Sequence, residues 1–209
     1  MVDVKRTRRS YHSPVRQRRA RESRERILER ARELFVGKGY AATSMDDIAR
    51  AAGVGRRSVY DAFGTKRGVL LALLGEIAPR EQARFREELA TAAGDCVRQL
   101  ELAVDFMAGL YERAADLIEM VHAAAGADAD LAALGDEGEH RRLLGQRPTV
   151  EDWHRRGLLR RGLGVERAAD IFWAMTSAQM YQMLVTQRGW TSQQYRTWLV
   201  AQLRHELFG

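Results

Sequence analysis

The feature that most constrains this chain is a pair of short helical segments separated by a glycine turn, within residues 44–63. Ser44, followed three residues later by Asp47, has the spacing of a capping box, which begins a helix. Gly53 ends the first segment and supplies the left-handed backbone that a tight turn requires. Two short helices joined in this way predict a helix-turn-helix, whose second helix enters the major groove of DNA.

Apolar residues recur at helical spacing on both sides of this pair. Ile27 and Leu28 begin a pattern that predicts a first helix over residues 24–37, and Thr65 is placed to cap a fourth helix. The C-terminal part keeps the same spacing, and the 209 residues include only three prolines, which favours long helices. The sequence therefore predicts an all-α fold, with three N-terminal helices forming the helix-turn-helix domain.

The end of the chain predicts two long helices, over residues 166–186 and 191–207. The pattern is least regular over residues 126–164. Asp128 lies there in an Ala-rich stretch that predicts a loop. Thr149 is placed to cap a helix that carries Trp153, and the pattern leaves open whether this helix joins the one before Pro148.

Positive charge is concentrated in the first third of the chain. Residues 1–70 carry 18 Lys or Arg and 8 Asp or Glu, whereas residues 71–209 carry 16 and 20. DNA, RNA and an anionic membrane surface would each attract such charge. Residues 1–22 are strongly basic and almost free of apolar side chains, which predicts a flexible arm that lies along phosphates or enters a minor groove. A solvated tail is the alternative. The arm's candidate contacts are Arg18, Arg19 and Arg21.

Composition argues against several classes of protein. The five histidines are far apart in the sequence, and Cys96 is the only cysteine, so neither a metal-ligand spacing nor a catalytic pair is present. No catalytic residue, metal site, cofactor or enzymatic activity is therefore predicted. An uncharged apolar run of about 18 residues is also missing, so we expect no membrane span. A single cysteine fits a reducing compartment, and we expect a cytoplasmic protein.

The outward face of the second helix in the pair carries side chains that can read DNA. Arg56 and Arg57 are suited to guanine, because a guanidinium binds two acceptors on its edge, and Ser58 can reach bases or phosphates. Asp61 shares this face. An acidic side chain there either repels phosphate or accepts a hydrogen bond from a cytosine amino group.

Residues 24–75 resemble the tetracycline-repressor (TetR) family of transcription regulators. The matching stretches, in order and without gaps, are residues 26–35, 39–44, 47–49 and 52–54, with Val59, Tyr60, Phe63 and Lys66. The resemblance implies contacts with the DNA backbone, made by Thr43, Ser44, Tyr60 and Lys66. Two positions depart from the family pattern: Gly55 stands where Ser is common, and Asp61 where a neutral or basic residue is common.

The resemblance also implies a division of labour along the chain. It suggests a basic arm (1–22), a helix-turn-helix domain (23–83) and a ligand-binding and dimerisation domain (84–209). In the family, bulky residues of the C-terminal domain line a ligand pocket, here Phe106, Leu110, Tyr111, Met120, Trp153, Phe172, Trp173, Met175 and Met180. The last two long helices pair with a second copy, here through Tyr181, Tyr195, Trp198, Leu199 and Leu203. Packing in the protein's own core is the alternative for both sets.

These features together imply a function for the chain. It is expected to be a homodimeric repressor that binds an inverted-repeat operator in double-stranded DNA and is released by a small apolar or aromatic ligand. A ligand-independent regulator or activator of the same fold is one alternative. A helical protein that binds nucleic acid without sequence preference is another.

Overall fold

The computed structural model describes residues 14–76, 79–126 and 128–209, and these residues form helices and connecting turns without a strand. The α-helices are α1 Pro14–Lys38, α2 Met45–Ala52, α3 Arg56–Phe63, α4 Lys66–Glu76, α5 Pro79–Thr91, α6 Cys96–Ala125, α7 Ala129–Arg155, α8 Val165–Met175, α9 Ala178–Tyr181 and α10 Ser192–Phe208. A π-helical segment, Gln182–Gln187, continues α9. The all-α prediction is confirmed.

Helices α2 and α3 form the predicted helix-turn-helix. The Ser44 hydroxyl accepts a hydrogen bond from the Asp47 amide at 3.1 Å, and the Asp47 carboxylate accepts one from the Ser44 amide at 3.1 Å, which completes the capping box. Gly53 has φ 63°, and its amide closes the end of α2. Ile48 and Val59 are fully buried against α1 and α4, so α3 is held by one apolar face and leaves its other face exposed.

Helix α1 begins much earlier than the sequence predicted. It starts at Pro14 rather than near residue 24, so residues 14–22 are helical and not a flexible arm. Proline suits the first position of a helix, and adding residues to an existing helix costs far less than nucleating one. Two ion pairs one turn apart, Arg18–Glu22 and Arg21–Glu25, support this extension. Residues 1–13 of the predicted arm lie outside the described residues.

The C-terminal core forms where α6, α7, α8 and α10 meet. Trp153 is fully buried at its centre, and its indole N–H donates to Gln99 Oε1 at 2.7 Å. The rings of Phe172 and Phe208 pack on Trp153 with centroids 5.7 and 5.1 Å away. These ring contacts join α7, which carries Trp153, to α8 and α10.

The prediction of a loop at Asp128 is wrong. Asp128 caps α7, since its carboxylate accepts hydrogen bonds from the amides of Asp130 and Leu131. The question left open at Pro148 is answered by α7, which runs through it as one helix. The proline removes the amide partner of the carbonyl four residues earlier, and both positions are exposed to solvent there.

The single helix predicted over residues 166–186 is also wrong, because the chain breaks at Thr176 and Ser177. The Thr176 hydroxyl donates to the Phe172 carbonyl at 2.7 Å, and Ser177 caps α9 through the Met180 amide. Hydroxyl side chains compete with helical hydrogen bonds in this way. The break turns α9 and the π-helical segment away from the axis of α8.

Candidate nucleic-acid interface and ligand cavity

Helix α3 presents a polar surface. Arg56, Arg57, Ser58 and Tyr60 are exposed on it, whereas Val59 between them is fully buried. Gly55 precedes α3 and provides no side-chain cap. The buried apolar face of α3 therefore holds the helix against the N-terminal core, and the exposed side chains project from its opposite face.

The two arginines of α3 have different surroundings. Arg56 is held across the turn, because its Nε lies 2.9 Å from an oxygen of Asp46 on α2 and its guanidinium lies 5.4 Å from the Tyr60 ring centroid. Arg57 is 93% exposed, with only a 3.5 Å ion pair to Asp61 one turn along. Asp61 therefore restrains Arg57, a contact that the sequence did not indicate.

Two predicted backbone contacts are occupied within the protein. Thr43 is buried, and its hydroxyl donates to the Gly39 carbonyl at 2.8 Å, so its side chain cannot reach a phosphate. This corrects the role expected for Thr43. The Ser44 side chain is exposed, but its hydroxyl donates to the Asp47 carboxylate at 2.8 Å in addition to its cap. The N–H groups at the start of α2 remain near this surface.

Lys66 connects the start of α4 to the loop after α1. Its ammonium donates to the Tyr40 carbonyl at 2.8 Å and lies 4.2 Å from the centroid of the Tyr40 ring. Burial of this half-buried side chain lowers the pKa of Lys66. Tyr40 is not singled out by the sequence for this contact, because it is 26 positions from Lys66 and only the packing of α4 on the loop after α1 brings the two together.

The three arginines of the predicted arm stand on α1. Arg18, Arg19 and Arg21 are all exposed there. Farther along α1, the guanidinium of Arg24 lies 4.5 Å from the centroid of the Phe63 ring, at the end of α3. This contact connects α1 to the end of the helix that carries the candidate base readers.

A cavity of about 650 Å³ lies between α4, α5, α6 and α7. Four of the nine predicted pocket residues line it: Phe106, Leu110, Tyr111 and Phe172. Three glycines of α7 also line it, at positions 135, 138 and 145, and a Cβ added to any of them would meet no atom within 4 Å. Glycine destabilises the interior of a helix, so these positions do not strengthen α7. Because they carry no side chain, they leave additional space on this wall of the cavity.

The other five predicted pocket residues lie elsewhere. Trp153 is at the centre of the C-terminal core, Met175 and Met180 pack at its edge, and Met120 packs on the N-terminal core. The Trp173 ring lies 5.0 Å from the Arg142 guanidinium. Residues that the sequence did not single out take their place: Leu71, Leu74, Phe85, Leu89 and Ile118. The signal was present in α4, which is apolar on more than one side.

One end of the cavity is polar. The Tyr111 hydroxyl donates to the Thr176 carbonyl at 2.8 Å, and burial raises the pKa of Tyr111 far above its ordinary value. Arg142 and Glu139 form an ion pair on the same wall, and the Arg142 side chain is only 9% exposed. A molecule in this cavity would therefore meet apolar walls and a few fixed polar groups, as is typical of ligand sites.

Four of the five predicted interface residues are buried within the chain itself. Tyr195, Leu199 and Leu203 pack against the C-terminal core, and the Tyr181 ring lies 5.1 Å from that of Tyr195. The leucine stripe of α10 is thus used internally, which the periodicity alone could not distinguish. Trp198 remains half-buried. Large apolar side chains are exposed at Leu144 (54%) and Met183 (47%).

Among the described residues, no group of three or more His, Cys, Asp and Glu side chains is arranged to hold a metal ion. None of the helices in this described part of the chain is long and apolar enough to cross a membrane.

Known proteins are similar to this chain in its helix-turn-helix region and, in longer matches, over most of its length. Residues 27–73 match the family model described as bacterial regulatory proteins, tetR family. The HTH-type transcriptional regulator TtgW of Pseudomonas putida is 47% identical over 55 residues, which are 26% of this chain and 41% of that protein. In three such short matches to curated relatives, the chain covers 26–41% of the relative's length.

A longer match comes from the HTH-type transcriptional regulator CymR of Pseudomonas putida, which is 32% identical over 161 residues, or 74% of each chain. Among solved structures, a SmeT–triclosan complex has a TM-score of 0.71 with 21% identity, covering 90% of this chain and 92% of that one. The fold is thus shared along most of the chain, and sequence identity extends beyond the helix-turn-helix. The chain belongs to the TetR family of bacterial regulatory proteins.

Proposed function

We propose that this protein is a homodimeric transcriptional repressor that binds an inverted-repeat operator and is released by a small apolar or aromatic ligand. The observation that carries the proposal is α3, which buries Val59 and exposes Arg57, Ser58 and Tyr60. Two such helices, one from each copy, would enter successive major grooves about 34–36 Å apart. Such a regulator acts in the cytoplasm, where its operator is.

The side chains of the interface divide into base readers and backbone contacts. Arg57 can leave its exposed ion pair with Asp61 to reach a guanine edge, and Ser58 is next to it on α3. Arg56 is oriented by Asp46 and Tyr60 and reads the neighbouring base. Phosphates are contacted by Tyr60, by the N-terminus of α2 at Ser44 and by the two remaining N–H groups of Lys66.

Dimerisation uses the outer surface of the last helices, because their inner surface is already packed. Trp198 is half-buried on α10, and Met183 is exposed on the π-helical segment. Half-exposed apolar side chains next to a completed core are suited to a second copy of the chain. This surface rests on four side chains that are buried in the C-terminal core: Tyr181, Tyr195, Leu199 and Leu203.

Release by a ligand would pass through α4. Leu71 and Leu74 of α4 line the cavity, while Leu70 and Leu73 of the same helix belong to the N-terminal core. A ligand that favours a different position of α4 changes the placement of α3 and lowers DNA affinity. The solved SmeT complex with triclosan supports a ligand site in this fold.

Selection of bound duplexes from a random DNA pool tests the proposal. The expected result is an enriched inverted repeat whose half-sites are centred about 10 base pairs apart or at a multiple of that spacing. Enrichment of a single half-site would contradict the proposed binding as a homodimer. Binding without any enrichment would favour the alternative of a non-specific nucleic-acid-binding protein. An operator bound equally with and without every ligand tested would favour a ligand-independent regulator.

A further inference from the structure

The hydroxyl of Thr176 determines how the polar end of the cavity is arranged. It has one hydrogen to donate, and this goes to the Phe172 carbonyl at 2.7 Å. The Thr176 oxygen must therefore act as an acceptor towards its other neighbours. These are an Arg142 N–H group at 3.1 Å and the Gln146 side chain at 2.9 Å.

This arrangement fixes the orientation of the Gln146 amide. Only the NH₂ group of Gln146 can face Thr176, because the Thr176 hydrogen is already used. The carbonyl oxygen of Gln146 is then the other end of the amide. It is buried and has no hydrogen-bond partner, and Gln146 lines the cavity. An unmet buried acceptor costs about 1–3 kcal/mol, so a molecule that supplies a donor there is favoured.

The charges at this end of the cavity are already balanced. Arg142 pairs with the Glu139 carboxylate, and its remaining N–H groups reach Thr176 and the Trp173 carbonyl. A carboxylate at this end would find Arg142 already paired and would lose its hydration, whereas the other two arginines that line the cavity, Arg86 and Arg141, are exposed to solvent, which screens their charge. A cationic ligand would likewise meet a carboxylate that is already paired.

We propose that the cavity binds a neutral, largely apolar molecule that carries one hydroxyl or N–H group, and that this group donates to Gln146 Oε1. The inference rests on the proposed ligand-binding function and names the class of ligand. Leu110 and Phe106 contact the apolar body of the molecule, and the glycines of α7 leave room for it. Gln146 is thus the specificity-determining residue of the site.

Calorimetric titration of the DNA-free protein with three matched probes tests this. The probes are 4-hydroxybiphenyl, 4-methylbiphenyl and biphenyl-4-carboxylate, which share one apolar body. The ratio of hydroxy to methyl affinity is expected to fall about tenfold in Gln146→Leu, the loss of one buried hydrogen bond. In the control Gln82→Leu, a glutamine exposed at the rim of the cavity, the ratio should stay within about twofold. The carboxylate should bind at least about 100-fold more weakly than the hydroxy probe.

An unchanged ratio in Gln146→Leu would show that solvent satisfies Gln146 and would overturn the inference. A carboxylate that binds most tightly, or wild-type protein that binds none of the three probes, would overturn it as well. Comparing the three probes on the wild-type protein keeps the test valid if the variant does not fold. The expected fall of the affinity ratio in Gln146→Leu, combined with probes that do not change operator binding, would uphold this inference. It would reject only the proposal that a ligand releases the protein from DNA.

Discussion

Arg32 on α1 binds both carboxylate oxygens of Asp116 on α6, with Nε and Nη2 at 2.9 and 2.7 Å from them. The same Nη2 donates to the Arg113 carbonyl at 2.6 Å. The first helix of the DNA-binding domain is thereby tied to the central helix of the C-terminal domain. Leu117 and Val121 of α6 extend this contact, since they belong to the N-terminal core. Helix α6 therefore contributes buried residues to the cores of both domains.

We expect Arg32→Met to loosen the helix-turn-helix without unfolding the protein. Both partners of the ion pair are 38% exposed, so solvent screening limits its contribution to about 1 kcal/mol or less. Amide hydrogen exchange in α2 and α3 should accelerate by up to about fivefold, while α8 and α10 keep their protection. Arg30→Met is the control, because Arg30 pairs only with Glu33 on its own helix. Equal amide protection of α2 and α3 in Arg32→Met and Arg30→Met would contradict a role of Arg32 in coupling the two domains.

The same ion pair gives an acid-dependent stability. Burial by itself raises the pKa of Asp116, but hydrogen bonds from Arg32 and from the Leu117 amide outweigh it and hold the pKa below its ordinary value of 3.8. A carboxyl with a lowered pKa stabilises the fold above its unfolded pKa, and this is lost as the pH falls through the folded pKa. Urea denaturation should show a constant difference between the wild type and Asp116→Asn from pH 8 to about 5, which shrinks below about 4. A difference that stays constant to pH 3 would argue against this ion pair.

Ser44 has two separable roles, as a helix cap and as a neighbour of phosphate. Ser44→Ala should lower the free energy of unfolding by about 1 kcal/mol, because the Asp47 amide loses its acceptor. Ser44→Asp keeps an acceptor for the cap but places a second carboxylate beside that of Asp47, so its thermal stability should be no higher than that of Ser44→Ala. Its DNA affinity should fall below that of Ser44→Ala, because the added negative charge lies at the proposed phosphate site. If Ser44→Asp binds DNA as well as the wild type, no phosphate lies near this helix end.

Arg57→Ala should relax base preference at one position of each half-site. The side chain is 93% exposed and its one ion pair, to Asp61, is on the surface, so its loss should leave the unfolding midpoint unchanged. Discrimination at the affected base should fall by about 1–3 kcal/mol in a selected-site profile. Arg161→Ala removes an equally exposed arginine of the C-terminal domain and should leave the profile intact. An identical profile for Arg57→Ala would assign base reading to other residues.

Local chemistry made the helix-turn-helix predictable, and tertiary contacts account for what was not. Ser44 and Gly53 define the ends of α2 through neighbours only a few residues away, so the sequence alone indicated them. Leu199 presents the same periodicity whether it faces a second copy or its own core, and here it faces the core. Phe85 lines the cavity only because α5 packs on α6, where its ring stacks on Phe106 with centroids 4.6 Å apart. Such pairings between helices are not encoded in the spacing of one helix.

The basic extension of α1 should contribute to DNA affinity through phosphates alone. Replacing Arg18, Arg19 and Arg21 with Gln removes three exposed positive charges and keeps good helix formers in place. Each phosphate contact contributes about 0.9 to the slope of log affinity against log salt, so the slope should fall by about 2–3. Base preference should not change, because phosphate contacts carry no direct sequence information.

The matched control replaces Arg155, Arg160 and Arg161 with Gln. These are three exposed arginines of the C-terminal domain, so the change in net charge is identical. If both triple variants lower the slope equally, the effect comes from net charge and not from contact. If neither lowers it, Arg18, Arg19 and Arg21 do not contact DNA, and these three side chains contribute only to solubility.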